Sequence, residues 1–160
     1  MFNVLRRAIT EEVFMDEMLF AGSDPFAANS LGKAGRPKIL LVDDDPVFRS
    51  VMVRMGESAG FDVEAYESML EIEPFTRLDI FSGAIFDYHL GHQMDGIDIV
   101  SHLKPFFAKI PTLLVSADDA VEQKLKLTPR CGFLGFASKT IGASKILATM
   151  GDLLKKSPHR

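Results

Sequence analysis

The sequence predicts an α/β domain, a parallel sheet with helices on both faces. Three observations carry this. From Pro37 onward, short apolar runs of strand length alternate with segments whose apolar residues recur at helical spacing. Runs such as Lys38-Ile39-Leu40-Leu41-Val42 are continuously apolar, which suits strands buried on both faces rather than on one. The polar residues Asp43, Asp87, Ser116 and Lys139 stand at or just past the ends of four of these runs.

Taken in order, Lys38–Val42 reads as the first strand. Asp45 then fits a helix N-cap and Pro46 the first helical position, where a missing N–H costs nothing. Val47, Phe48, Val51, Met52 and Met55 follow at helical spacing, and Gly60 closes the unit. Asp62–Tyr66 alternates as a second strand does. A short helix is expected around Met69–Ile72, ending before Pro74. Ala84–Phe86 is a third strand that stops at Asp87, followed by a polar, glycine-containing loop. Ile99, Val100, Leu103, Phe106 and Phe107 mark a helix face that Pro105 bends or ends. Pro111–Val115 is a strand ending at Ser116, and a polar helix is expected near Asp119–Leu127. Gly132–Ala137 is the last strand, ending near Lys139. Ile146, Leu147, Met150, Leu153 and Leu154 form a final amphipathic stripe. No internal repeat is visible.

The 160 residues suit one domain with some chain to spare. Hydrophobic residues make up 47% and charged residues 25%, which excludes wholesale disorder. The single cysteine, Cys131, rules out an internal disulfide. No apolar run reaches the roughly eighteen residues of a membrane-spanning helix. The net charge is −4 with no basic run, so direct nucleic-acid binding is not expected. Residues 1–20 are rich in apolar side chains, and Phe2, Leu5, Ile9, Val13 and Phe20 fall on one side of a helix, into which Glu12 and Asp16 intrude. Arg6, Arg7, Glu11 and Glu12 break the apolar core that a secretory signal needs. A cytoplasmic location is the expectation. Gly, Pro, Ser and Asn punctuate residues 21–36 as in a linker. The expected organisation is a helical extension and linker over 1–36, the α/β domain over 37–156 and a tail over 157–160. Apolar surface on an extra helix buries itself somewhere. Residues 1–20 are expected to pack on the domain or on a second copy of the chain, with a homodimer preferred.

The carboxyl ends of strands in an open parallel sheet face the ligand crevice. Asp43-Asp44-Asp45, Asp87, Ser116 and Lys139 therefore converge there from four strands. Clustered carboxylates repel one another, and a hard divalent cation such as Mg²⁺ relieves that repulsion with oxygen ligands and water. A carboxylate so placed can attack phosphorus and form an aspartyl phosphate. The Lys139 ammonium offsets charge on phosphoryl oxygens, and the Ser116 hydroxyl can donate to one of them.

At these residues the chain resembles the receiver domain of two-component response regulators. The motifs are Ile39-Leu40-Leu41-Val42-Asp43-Asp44-Asp45-Pro46, Asp87 with Met94-Asp95-Gly96, Ser116-Ala117, and Phe136 with Lys139, and the resemblance spans about 37–156. It implies a flavodoxin-like doubly wound sheet of five strands in the order 2-1-3-4-5. It implies that Asp87 is the phosphoacceptor, and that Asp43, Asp44, Asp87 and the backbone carbonyl of His89 hold Mg²⁺. It implies that Ser116 and Phe136 report phosphorylation by moving together. The partners it implies are a histidine kinase or histidine phosphotransfer protein of a bacterial signalling system. A second domain after the last helix is not expected, so the expectation is a stand-alone regulator acting on another protein, a phosphoacceptor switch and not an enzyme in the ordinary sense. Three departures stand out: Thr140 replaces the proline usual after the lysine, Gly91 stands where proline is common, and Pro129 and Cys131 interrupt a usually small-residue stretch. His89 and Asp118 lie two residues past Asp87 and Ser116, at positions that tune hydrolysis in the family.

Other readings compete. Asp43-Asp44-Asp45-Pro46-Val47 also fits the nucleophile motif of haloacid-dehalogenase-type phosphatases, but the acidic pair that family needs after the lysine is reduced to Asp152 inside a helix, and Asp87 is left without a role. A receiver fold acting as a phosphate-independent interaction module is the other alternative. His89 and His92 are spaced as a metal pair but lack a further Cys or His nearby. Asp45 reads as a helix cap before it reads as a ligand.

Overall fold

A computed structural model describes residues 35–69, 71, 72, 80–90, 110–118, 120, 121 and 134–157. Five strands form one sheet: β1 (Lys38–Val42), β2 (Asp62–Tyr66), β3 (Gly83–Asp87), β4 (Thr112–Ser116) and β5 (Leu134–Ser138). Every pairing is parallel and the spatial order is β2-β1-β3-β4-β5, the doubly wound arrangement expected. Strand β1 is an interior strand, Val42 pairing with Tyr66 on one side and Phe86 on the other. The order reverses at β1, so the crevice beyond its carboxyl end, between β1 and β3, is where such sheets bind ligands.

Alternation along the strands builds two cores, because successive side chains leave a strand on opposite faces. Ile39, Leu41, Ile85, Leu113 and Val115 point to one face, where Met52, Ile146, Leu147 and Met150 cover them. Leu40, Val42, Ala84, Phe86 and Leu114 point to the other, with Ile72, Phe81, Ile110 and Val121. The first face is closed by helix α1 (Pro46–Ala59) and helix α2 (Ala143–Lys156). The apolar stripe of the sequence places Met52 of α1 and Ile146, Leu147, Met150 and Leu154 of α2 in the buried layer.

Helix α1 starts as expected. Asp45 Oδ1 accepts the N–H groups of Val47 (2.8 Å) and Phe48 (3.3 Å), satisfying two donors that the first turn leaves free. Gly60 ends the helix at φ +85°, a left-handed conformation that glycine adopts without a Cβ clash. Gly56 faces β2 so closely that a Cβ there would collide with the Val63 side chain. That neighbour is a stiff, branched residue on a strand. Gly56→Ala is therefore expected to lower stability by about 1–2 kcal/mol despite the better helix propensity of alanine, measured by urea denaturation.

One expected element differs. Around Met69–Ile72 the described residues form a turn, with the Glu71 N–H donating to the Ser68 carbonyl (3.2 Å), not a helix. Ile72 is buried in the core behind β1 and β3 and Met69 packs against the same cluster, so tertiary packing anchors the segment without a helix. Of the polar helix near Asp119, Ala120 and Val121 are described and are helical. The N-terminal helix of 1–20, nearly all of the linker, the Met94-Asp95-Gly96 motif, His92, the helix marked by Ile99–Phe107, and Pro129 with Cys131 lie outside the described residues. No helix among the described residues is long and apolar enough to cross a membrane.

Candidate functional site

The site is assembled at the carboxyl edge of the sheet, where chain direction turns and the strand ladders stop. Asp43 follows β1 and is fully buried. Its N–H donates to the Tyr66 carbonyl (3.1 Å), which prolongs the pairing of β1 with β2 by one residue. Its Oδ1 accepts the Asp45 N–H at 3.0 Å. Asp87 closes β3 and is 5% exposed. The Tyr88 N–H donates to the Val115 carbonyl (2.8 Å), and the His89 N–H donates to Asp87 Oδ1 at 3.3 Å. Asp44, between the buried Asp43 and the cap Asp45, is exposed.

Strand β5 delivers the cation. Ser116 pairs in register with Ser138, so Lys139 leaves the sheet directly beside the end of β4. The Lys139 ammonium lies 2.7 Å from Asp43 Oδ2 and 3.1 Å from Asp87 Oδ2, bridging the two buried carboxylates. It also sits over the Phe48 ring, 4.7 Å from its centroid, a contact that favours a cation on the ring face. The residue after it, Thr140, stands in the middle of a short 3₁₀ turn (Lys139–Ile141), in place of the family's usual proline. Ser138 Oγ accepts the Thr140 N–H (3.3 Å) and lies 2.7 Å from the Thr140 hydroxyl. Both are bonds that proline could not make.

Charge dominates this site. Burial pushes the Asp43 carboxyl up, and the neighbouring Asp87 charge adds to this; the Lys139 ammonium and the Asp45 N–H oppose the rise without cancelling it. Burial also works against charge on Lys139, but the Asp43 and Asp87 carboxylates outweigh it and hold the ammonium above its ordinary pKa. Oxygen atoms of Asp43, Asp44 and Asp87 all lie within 4.8 Å of one another. Three carboxylates thus face one ammonium. Asp43 Oδ2, fully buried, has the ionic contact to Lys139 but no hydrogen bond of regular geometry. The donor set fits a hard, oxygen-seeking divalent cation, which would relieve the repulsion, and the exposed Asp44 could reach such an ion from the solvent side.

The other expected residues fall nearby. Ser116 is fully buried at the end of β4, and its Oγ accepts the Asp118 N–H at 3.0 Å, leaving the hydroxyl hydrogen to donate elsewhere. Asp118 Oδ1 in turn accepts the Ala120 N–H (2.9 Å), so its carboxylate begins a helical turn. Phe136 is half-buried on β5 opposite Leu114 and packs on the core face that holds Val42 and Phe86. Asp45 is the helix cap. Asp152 lies within α2 with its carboxylate 3.2 Å from Lys155, not at the carboxyl edge of the sheet, so the phosphatase reading gains no second acidic group. Arg49 carries no signal in the sequence pattern that would single it out. Its Nη1 donates to the backbone carbonyl of Asp43 at 2.6 Å.

Comparison with known proteins agrees with this geometry. The family model of the response regulator receiver domain matches residues 39–150. The chain is 25% identical over 139 residues to the sensory/regulatory protein RpfC of Xanthomonas campestris, covering 84% of this chain and 19% of that protein. It is 27% identical over 126 residues to the transcriptional regulatory protein TrcR of Mycobacterium tuberculosis, covering 76% of this chain and 47% of that protein. It therefore spans less than half the length of either relative. Among solved structures, the receiver domain of Francisella response regulator 1452 superposes with a TM-score of 0.63 at 21% identity, covering 76% of this chain and 98% of that one. With the sheet order, the acids at its switch point and the matching family model together, the chain belongs to the response regulator receiver domain family of two-component signalling.

Proposed function

We propose that this receiver domain is a Mg²⁺-dependent phosphorylation switch in which Asp87 accepts a phosphoryl group from a histidine kinase or histidine phosphotransfer protein. The observation that carries the proposal is the Lys139 ammonium, 3.1 Å from Asp87 Oδ2, on one side of a carboxylate whose other neighbours are Asp43 and Asp44. An Asp87 oxygen attacks the phosphorus of a phosphohistidine. The O–P bond forms, the N–P bond breaks, and the imidazole leaves and takes up a proton. Lys139 moves with the new charge, from carboxylate pair to phosphoryl oxygen, and the free Ser116 hydroxyl hydrogen donates to another of those oxygens.

Asp43, Asp44, Asp87 and the His89 carbonyl would hold Mg²⁺, which supplies charge neutralisation to the phosphoryl oxygens when bound. Two large apolar side chains support a protein as donor or target. Val47 is 70% exposed two residues beyond the helix cap Asp45, and Ile141 is 39% exposed two residues beyond Lys139, so both lie close along the chain to residues of the site. Phe136, on the face behind Ser116, is the side chain that would shift as the hydroxyl is drawn to phosphate. The switch would occupy residues 37–156, since all five strands lie between Lys38 and Ser138, with 1–36 as an extension and 157–160 as a tail.

The test is intact-protein mass after incubation with acetyl phosphate or phosphoramidate. One phosphoryl group added with Mg²⁺ and none without it supports the switch. No addition from small donors or from any kinase would favour the phosphate-independent module.

A further inference from the structure

We propose that Arg49 is a positioning residue for the cation site, acting through the peptide that joins Asp43 to Asp44. The inference rests on the metal reading above and deepens it. Past Val42 the β1 ladder ends, so the Asp43 carbonyl has no strand partner, and a buried carbonyl needs one. Arg49 provides it: the guanidinium reaches back six residues from α1, and Nη1 donates to the Asp43 oxygen at 2.6 Å. Its second arm, Nη2, lies 3.8 Å from Glu67, just beyond β2. The planar fork is thereby aimed from the far side, and the guanidinium is itself largely buried.

The placement is otherwise unfavourable. Arg49 is the fourth residue of α1, where a cation opposes the helix dipole, and its own N–H is already used by the Asp45 carbonyl at 3.0 Å. What the contact achieves is fixation of one peptide plane. The Asp43 N–H is held by Tyr66, its Oδ1 by the Asp45 N–H, its Oδ2 by Lys139 and its carbonyl by Arg49. Asp44 is the next residue and is exposed, so the direction in which its carboxylate meets a cation is set by that plane. Groups that orient metal ligands from behind contribute strongly to metal affinity.

Charge and position predict opposite outcomes, which makes the idea testable. Removing a positive charge that sits on the Asp43 carbonyl should tighten Mg²⁺ binding if Arg49 acts only through its field. It should weaken binding if Arg49 positions Asp44. The experiment is Mg²⁺ titration by isothermal calorimetry on wild type, Arg49→Gln and Arg49→Lys, with thermal midpoints recorded without metal. Arg49→Gln is expected to bind Mg²⁺ about 10-fold more weakly. Arg49→Lys is expected to show an intermediate loss, because an ammonium can meet the carbonyl but cannot span to Glu67. Wild-type or tighter affinity in either folded variant overturns the inference, and a lowered midpoint with unchanged affinity does so too by showing a purely structural role. Failure of the wild type to bind Mg²⁺ overturns the metal reading itself, and the inference with it.

Discussion

Asp87→Asn is expected to abolish phosphoryl incorporation completely while leaving the fold intact. The substitution keeps size and shape but removes the anionic oxygen that must attack phosphorus. The fold should survive because Lys139 keeps its shorter contact, 2.7 Å to Asp43, and because one source of repulsion on Asp43 disappears. Intact mass after acetyl phosphate with Mg²⁺ should show one addition on wild type and none on the variant, with unchanged circular dichroism. Two neighbours separate the roles. Asp44→Asn should still be phosphorylated, but only at higher Mg²⁺, since an exposed ligand oxygen is lost. Ser116→Ala should accept phosphate and signal less. An addition to Asp87→Asn equal to that on wild type would overturn the assignment and make Asp43 the nucleophile, a residue buried more deeply and already bound to the ammonium.

The second large effect is on stability. Lys139→Ala removes the ammonium that bridges Asp43 and Asp87 and leaves a buried carboxylate without its counter-ion. Such deletions are strongly destabilising, and with some solvent still reaching Lys139 the expected loss is about 2–3 kcal/mol at pH 7 in urea denaturation without metal. The pH dependence follows from the shifts. Asp43 is raised in the folded state, so its contribution is fully present below its ordinary value of 3.8 and is lost as pH rises through the folded value. Without Lys139 the folded value climbs further, so the deficit of the variant should be small in acid and grow towards neutrality. Lys139 is also raised, so in wild type its contribution persists up to its ordinary value of 10.5 and fades as pH rises through the folded value above that. A deficit as large at pH 3 as at pH 7 would show that the lost contact is packing against Phe48 and not charge. Lys139→Arg should also be impaired, since a planar fork does not reproduce a compact ammonium between two carboxylates.

The sheet and its chemistry were legible in the sequence to different depths. Strand β1, strand β2 and the start of α1 were legible to the residue, because a continuous apolar run, a clean alternation and an Asp-Pro cap are local signals. Convergence of Asp43, Asp87, Ser116 and Lys139 on one edge followed from parallel strand direction alone. What could not be read was the division of labour among adjacent acids. Asp43 and Asp44 are chemically identical in sequence, yet one is fully buried under Lys139 and the other is exposed. That difference depends on where the β1 ladder stops. Arg49 was invisible for a similar reason: its partner is a backbone carbonyl, and no motif encodes a backbone atom. The turn at Met69–Ile72 misled because Ile72, buried, and Met69, packed against the same cluster, stand where a helical stripe was expected.

The outermost strand, β2, has a bearing on how this molecule behaves in company. An unpaired sheet edge offers its N–H and C=O groups to any passing chain. Of the five residues in this one, two are acids, Asp62 and Glu64, and Glu64 is tied inward to Lys38 at 2.5 Å and to the Tyr66 hydroxyl. A second sheet adding here would bring like charges together and would have to break that ionic tie. Among the described residues no further strand pairs with the outer side of β2, and its charges disfavour edge-to-edge growth there.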